Sequence, residues 1–328
     1  AISAMPAIWR SCLSGEGKVD LRDCKVLSED FYLWSHTGLT SRVSSFFASK
    51  MLRGRVEKLA RADYPEPLRS PRFKGQAYRL IDLVLDVPSL VAALARQHAE
   101  AIFKIDWTSA SLVARDRQAV ICGAGWELQA KQVILTAGAG NEALVLALGG
   151  SEPAMQRRPL QQVFMKHEYQ APFYAHCTGG SAAPRLTISS HRTLEGEPVW
   201  YLGGDLATEG ADSEPEALIT KAKSEIAALL PWIDFGQCQW RTLRLDRGEP
   251  RQSALLRPDS AFVGAVDSVD NALVAWPTKL SLSPNLADEI DDALARRGIT
   301  AGPATDLSPL QTLDRPGIAP AYWDTLFA

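Results

Sequence analysis

Two segments of this sequence have residue types and spacing suited to chemistry. Val133-Ile134-Leu135-Thr136-Ala137 reads as a buried strand. Gly138-Ala139-Gly140-Asn141 breaks it, and Glu142 to Leu148 resumes as a short helix. A strand ending in small residues lets the phosphates or ribose of a cofactor come close to the backbone. A lone G-x-G equally describes a plain strand-to-helix turn. The second segment runs from Asn271 to Pro284. There a strand, Ala272 to Trp276, leads through a polar loop into a helix N-terminus, which favours negative charge. Lys279, just before that helix, adds a positive charge, although a loop lysine also serves simply as a solvated surface group. Elsewhere the chain offers His176, Arg185, Tyr201, Arg244 and Arg247. Arginine forks suit carboxylates or phosphates, and each also reads as a surface ion pair. Arg244 and Arg247 are three apart, so a strand turns only one of them toward a site, and Arg244 is preferred. His176 and Cys177 are adjacent, point to opposite faces of an extended strand, and do not form a nucleophile–base pair.

The elements that must position these residues follow from periodicity and punctuation. A helix fragment opens the chain, followed by a strand at Lys25 to Trp34, a helix at Thr40 to Leu59 and a strand at Gln76 to Leu85. Asp86 caps a helix that has Pro88 in its first turn and Leu90, Val91, Leu94 and Ala95 at helical spacing. Phe103 to Ile105 and Leu112 to Val113 are strand-like, and Glu127 to Ala137 ends in the strand named above. The second half is richer in strands: Leu160 to His167, Arg185 to Ser190, Val199 to Leu206, Trp240 to Leu245 and Ala272 to Trp276. Ser213-Glu214-Pro215-Glu216 reads as a capping box. It opens a helix whose apolar face is Leu218, Ile219, Ala222, Ile226, Leu229 and Leu230, and Pro231 stops it. The last strong helix starts near Ser281 to Ser283 and ends at Arg296-Arg297-Gly298, with acids early, bases late and Gly beyond. A Pro-rich tail follows Gly302.

Composition narrows the function classes. The chain has 328 residues, 46% hydrophobic and 22% charged, with a net charge of −3. Those are globular values with room for about two domains. They give no overall basic signal for nucleic acid. No apolar run approaches the ~18 residues of a membrane-spanning helix, and no signal-peptide pattern follows Ala1. Five widely spaced cysteines without a C-x-x-C suit a reducing compartment. Five histidines without an i,i+4 pair give no metal-site pattern, so no metal is expected.

Taken together, the segments resemble the D-amino-acid oxidase / glycerol-3-phosphate dehydrogenase superfamily of FAD-dependent oxidoreductases. Val133 to Ala139 is similar to that superfamily's "VVLAAGAW" strand. Asn271, Leu273-Val274-Ala275 and Leu280 to Leu286 are similar to its C-terminal "NLYVATGHxxxGLTLAPALG" segment. Asp86 to Leu94 resembles its "vdpxxLvxaL" helix start. Pro258-Asp259-Ser260 resembles its "tPDG" turn, and Val263-Gly264 the "viG" that follows. Arg244 stands where the family often has the arginine of a "GxRP" element. Order and spacing agree over roughly residues 76–298. One element departs: the family opens with a strand, a G-x-G-x-x-G turn and a helix for the FAD pyrophosphate. Here Ala1 is expected to begin just after it.

The resemblance implies an α/β (α+β overall) fold: a Rossmann-like FAD-binding domain, incomplete at its N-terminus, with an inserted mixed β-sheet substrate domain. Residues 1–15, 84–156 and 251–302 would form the first, 16–83 and 157–250 the second, and 303–328 a tail. It implies an enzyme that takes a hydride equivalent from a small amino acid, amine or 2-hydroxy acid to flavin N5, with oxygen or a quinone as electron acceptor. Ala110, Thr136, Ala137 and Gly138 would lie on the adenine side. Trp276, Pro277, Thr278, Lys279, Leu280 and Ser281 would line the flavin, and Lys279 and Arg244 would act on substrate. The expected setting is cytoplasmic, with peripheral membrane contact open, no nucleic-acid partner, and oligomeric state unassigned. The alternative is a non-catalytic binding or assembly protein of the same fold that has lost its nucleotide site.

Overall fold

The computed structural model describes residues 1–36, 56–179, 183–251, 260–303 and 306–328. Along the chain run α1 (Met5–Ser14), β1 (Val26–Ser28), β2 (Phe31–Ser35), β3 (Val56–Lys58), β4 (Gln76–Leu80), β5 (Val84–Leu85) and α2 (Val87–Gln97). Next come β6 (Ser111–Arg115), β7 (Gln118–Gly123), β8 (Trp126–Gln129), β9 (Val133–Leu135), α3 (Asn141–Ala147), β10 (Met155–Lys166), β11 (Tyr174–Thr178), β12 (Pro184–Arg192) and β13 (Pro198–Gly203). The remainder is α4 (Asp205–Glu209), α5 (Pro215–Leu229), β14 (Gln239–Pro250), β15 (Phe262–Ala265), β16 (Ala272–Trp276), α6 (Ser283–Arg296) and α7 (Tyr322–Leu326). None of these helices is long and apolar enough to cross a membrane.

The described chain divides into two compact units, each assembled from separated stretches. The first comprises Ala1–Asp23, Val91–Arg158 and Asp246–Ile318. Its three-stranded sheet has the order β15-β16-β9, with β16 antiparallel to β15 and parallel to β9. All five residues of β16 are buried, as expected of a central strand covered on both faces. Leu135, Val145, Leu148, Met155, Val266, Val274 and Trp276 form its core. Full burial of such side chains is worth about 1.5–3 kcal/mol each. A second, antiparallel sheet of order β6-β7-β8 adds Leu112 and Ala119 to that core. Asn271 joins the two sheets: its amide accepts from Ala119 N at 2.7 Å and donates to Ala130 O at 3.0 Å. At the far end of α6, Gly298 adopts φ +70°, and Ile299 N reaches back to Leu294 O at 3.0 Å. That closure is what a left-handed glycine past a helix end provides.

The second unit comprises Cys24–Leu90, Pro159–Leu245 and Ala319–Ala328. Its main sheet has the strand order β14-β10-β13-β12-β11-β2-β4-β3. Alternation gives this sheet two different faces. One face buries Trp34, Val163, Met165, Ala175, Cys177, Leu186, Ile188, Trp200 and Leu202 with the α5 stripe Leu218, Ala222, Ile226 and Leu229. The other face carries Leu33, Phe164, Tyr174, His176, Thr187, Ser189 and Tyr201, set by the registers between β10, β13, β12, β11 and β2.

Several sequence expectations are corrected. Most of the helix expected at Thr40 to Leu59 lies outside the described residues, but Val56–Lys58 is a strand paired with β4. Lys25 to Trp34 forms two strands rather than one, because Ser28 Oγ takes the Asp30 N–H at 3.2 Å and turns the chain. Gln76 to Leu85 also splits, with β5 pairing to β1 instead of continuing β4. Phe103 to Ile105 forms no strand; Phe103 instead lies under the Arg315 guanidinium, 4.1 Å from the ring centre. Strand β13 ends at Gly203, because Gly204 at φ +82° turns the chain into α4. The Ser213–Glu216 capping box does not form: Glu214 is the N-cap of α5 and makes no side-chain cap bond.

Candidate functional site

Strands β9 and β16 are parallel and in register, with Ala272 opposite Val133 and Val274 opposite Leu135. Their carboxyl ends therefore emerge side by side, which brings Thr136-Ala137-Gly138 next to Trp276-Pro277. Two side chains tie these ends together. Asn141, fully buried, accepts the Ala137 N–H at 2.7 Å and donates to Ala275 O at 3.3 Å. The Trp276 indole N–H donates to Gly138 O at 3.0 Å. Thr136 and Ala137 are exposed, and a Cβ added to Gly138 would meet nothing within 4 Å. The carboxyl ends thus present open backbone and small residues, braced from below by two buried side chains. Trp276 contributes through that brace and through the core rather than as an exposed wall.

Beyond Trp276 the chain makes a tight turn. Lys279 N donates to Pro277 O at 2.7 Å across Thr278, which sits at φ +62°. A β-branched residue in that region is strained. Thr278 Oγ1 partly offsets the strain by donating to Pro277 O at 2.6 Å. The turn projects half-buried Lys279 at the head of a 3-10 turn, Leu280–Leu282, that runs directly into α6. Leu280 and Ser281 are exposed. The Trp9 indole N–H, from α1, donates to Ser281 O at 3.0 Å and fixes this entry to α6. The 14-residue α6 brings its positive dipole end to the loop that carries Lys279.

The remaining sequence candidates are placed as follows. Ala110 is half-buried and immediately precedes β6, which packs against α3. Arg244 belongs to the second unit. Its Nε donates to Gln161 Oε1 at 3.1 Å and its Nη2 to Ser213 O at 2.9 Å, so the guanidinium braces β14, β10 and the start of α5. Ser213 lies one residue before the N-cap Glu214, outside the position a capping box requires. Arg185 is engaged bidentately by Glu225 of α5. His176 Nδ1 lies 2.8 Å from Thr187 Oγ1, and its ring is 4.5 Å from Phe31. Cys177 points the other way, where burial pushes its thiol up to about 12 and keeps it protonated. Burial likewise raises the Tyr174 phenol to about 12. Among the described residues no group of three His, Cys, Asp or Glu side chains could hold a metal. Pro258 and Asp259 of the expected turn lie outside the described residues, whereas Gly264 lies in β15, where a Cβ would stand 2.7 Å from Pro153 Cγ.

Sequence reasoning missed Asn141 and Trp9 as organisers of the site. The signal for Asn141 was present, since an amide at a strand-to-helix junction can satisfy both chain ends. The signal for Trp9 was not, because its partner is 272 residues away.

These residues fit an FAD group. Paired parallel strand ends with an unobstructed Gly138 admit a nucleotide close to the backbone. A helix N-terminus preceded by Lys279 suits an electron-rich ring edge.

No protein-family model matches the sequence. The chain is 46% identical over 329 aligned positions to the probable FAD-dependent oxidoreductase PA4991 of Pseudomonas aeruginosa, spanning all of this chain and 82% of that protein. The crystal structure of the latter superposes with a TM-score of 0.85, at 42% identity over 99% of this chain and 83% of that one. Iminodiacetate oxidase from Chelativorans sp. BNC1 shares the fold at a TM-score of 0.61, with 15% identity over 93% of this chain and 79% of that one. Glycine oxidase from Geobacillus kaustophilus does so at 0.57, with 16% identity over 96% and 82% of the two chains. The braced strand ends and this degree of identity and coverage lead to one conclusion: the chain belongs to the FAD-dependent oxidoreductases, enzymes with FAD as cofactor, and has the fold of the D-amino-acid oxidase / glycerol-3-phosphate dehydrogenase superfamily.

Proposed function

We propose that this enzyme oxidises a small amino acid, amine or 2-hydroxy acid, with oxygen or a quinone as the electron acceptor. The single observation behind this reading is the β16–α6 connection, where a strained turn presents Lys279 at a helix N-terminus beside the braced β9 end. FAD, when bound, supplies the acceptor for a hydride equivalent. In this reading the first unit holds the cofactor, with Ala110 and Thr136 to Gly138 toward its adenine side and Pro277 to Ser281 along the flavin. Lys279 and the α6 dipole stabilise negative charge on the ring edge or on a substrate carboxylate. The second unit recognises the substrate, and Arg244 supports its sheet instead of touching substrate. Both iminodiacetate oxidase and glycine oxidase, which share the fold, carry names of small amino-acid oxidases. A cytoplasmic setting, with any membrane contact peripheral, is part of the same proposal.

The test is anaerobic flavin bleaching by the full chain reconstituted with FAD, using glycine, N-methylglycine, iminodiacetate and glycolate. Bleaching by one of them, with KM raised at least roughly tenfold by Lys279→Met, about 1.4 kcal/mol of binding, supports the reading. No bleaching by any of the four, or an unchanged KM in the variant, overturns it.

A further inference from the structure

The turn that follows β9 is braced from below by Asn141 and Trp276. Its other side is met by an arm of the same unit. The first residues of β10, Met155 to Arg158, and the last of β14, Asp246 to Pro250, both belong to the first unit. The two strands are neighbours, and just past β14 Arg251 N donates to Ala154 O at 2.8 Å. Together these stretches form a short two-stranded arm. Side chains lock it. Glu249 is only 4% exposed, and its carboxylate is paired with Arg158 and accepts from Gln156 Nε2 at 2.9 Å. A carboxylate is costly to bury unless it is paired in this way.

The arm touches the turn where no side chain fits. A Cβ on Gly248 would stand 2.6 Å from Ala139 Cα and 2.9 Å from Ala139 N, with Met155 Sδ also at 2.9 Å. The two Ala139 atoms are backbone and cannot swing aside. A glycine inside a strand marks the close approach of another backbone, and here that backbone is the middle of Gly138-Ala139-Gly140. An added methyl group requires the gap to open by about 1 Å to reach ordinary carbon–carbon contact. Arg157 makes a second tie to the same place. Its Nη2 donates to Glu142 Oε2 at 3.0 Å, in the first turn of α3, and its Nη1 to Asp246 Oδ2 at 3.5 Å. Arg157 thus joins both strands of the arm to the helix that starts where the turn ends.

Placement matters at this turn because its free side is backbone: a Cβ on Gly138 would meet nothing within 4 Å. A preorganised backbone site has no side chain to readjust when the chain shifts, so its strength depends on what holds the chain.

We propose that Gly248, with Arg157, positions the Gly138–Gly140 turn for FAD, the glycine by letting β14 lie directly on Ala139 and the arginine by tying the arm to α3. This rests on the functional reading above for FAD meeting the turn. The contacts themselves lie within one unit and need no cofactor.

The test is isothermal titration of the full chain with FAD and with ADP, using wild type, Gly248→Ala and Arg157→Met. Dissociation constants are read where each variant is folded, so that a loss of global stability alone leaves them unchanged. Gly248→Ala should weaken both probes by the same factor, about tenfold, as the loss of one hydrogen bond to the ligand does. It should also move the indole N–H resonance of Trp276 in the cofactor-free protein, because that N–H donates to Gly138 O. Trp276→Phe identifies the signal. Arg157→Met cuts an exposed tie and spares the fold, so it is decisive even where Gly248→Ala does not fold. About two- to threefold weaker FAD binding is expected from it. Unchanged FAD affinity in folded Gly248→Ala, an unmoved Trp276 resonance, or unchanged FAD affinity in Arg157→Met would each overturn the proposal while leaving the functional reading intact. Weaker FAD binding with ADP untouched would keep Gly248 as a positioning residue and remove the adenine side from that reading. Wild-type protein that binds neither probe would overturn both.

Discussion

At the carboxyl ends of β9 and β16 the first unit presents backbone and small residues, and its large side chains act from below. Across β10, β13, β12 and β11 the second unit does the reverse: the backbone is consumed by the sheet, and side chains form its exposed face. A backbone site depends on where chain ends sit, so its controlling residues are the braces. A side-chain site depends on register, so its controlling residues are those that share a row. The two regions should therefore fail differently when mutated.

The largest effect is expected at Asn141. Replacing it by Leu leaves the Ala137 N–H and the Ala275 carbonyl unsatisfied beneath the strand ends. A stability loss of about 3 kcal/mol is expected, measured by urea unfolding, together with weaker FAD binding. Retention of FAD affinity in a folded Asn141→Leu variant would mean that the strand ends do not need their brace.

A comparable effect comes from acid and is confined to the second unit. Burial pushes His167, set between Trp200 and Phe235, down to about 4. Burial does the same to His191, which stacks on Trp323 at 3.8 Å. For both, folding favours the neutral ring. Their stability contributions are intact above the unfolded value of about 6.5. They are lost as pH falls from there toward 4, because the unfolded chain takes up protons that the folded chain refuses. Each is worth up to about 3 kcal/mol over that window. The unfolding free energy, read from urea curves at several pH values, should fall with pH in that window, and His167→Phe should remove about half of that fall. A pH-independent stability between 6.5 and 4 would refute both assignments.

The same contrast explains what could be read in the sequence. The first unit's strand ends and the turns after them were legible because their requirements fall on contiguous residues: an apolar strand, small residues after it, and an early Pro in the next helix. The placement of Thr136 to Gly138 after β9 and of Pro277 to Ser281 after β16 follows from such runs. The neighbours on the second unit's sheet, such as His176, Thr187 and Gly203, were illegible, because they come from different strands and only register brings them together. Arg244 shows contacts that periodicity does not reveal. An arginine on a strand suggests substrate, while here its Nε and Nη2 donate to Gln161 and Ser213, neither of them near it in sequence.

That reading of Arg244 gives a smaller effect. Arg244→Met loses hydrogen bonds on an exposed side chain, so about 1 kcal/mol of stability is expected to go. KM for the best substrate should hold constant, read from initial rates on the folded variant. A tenfold rise in KM at unchanged stability would return Arg244 to the substrate.

The smallest effect in stability, and the sharpest for the comparison, is expected at Thr278. Glycine there removes the strain of a β-branched residue at φ +62° but restores the conformational freedom of the unfolded chain. These terms are opposite and each about 1 kcal/mol or less, so the melting temperature should barely move. The Thr278 hydroxyl contact to Pro277 O is lost as well, and the turn that aims Lys279 loosens. If the first unit acts through backbone placement, Thr278→Gly should raise KM several-fold, approaching the Lys279→Met value, while FAD affinity changes little. If KM is unmoved, the turn serves only to connect β16 to α6. The lysine would then find its position from its own side-chain freedom, and the first unit would depend on a side chain as much as the second does.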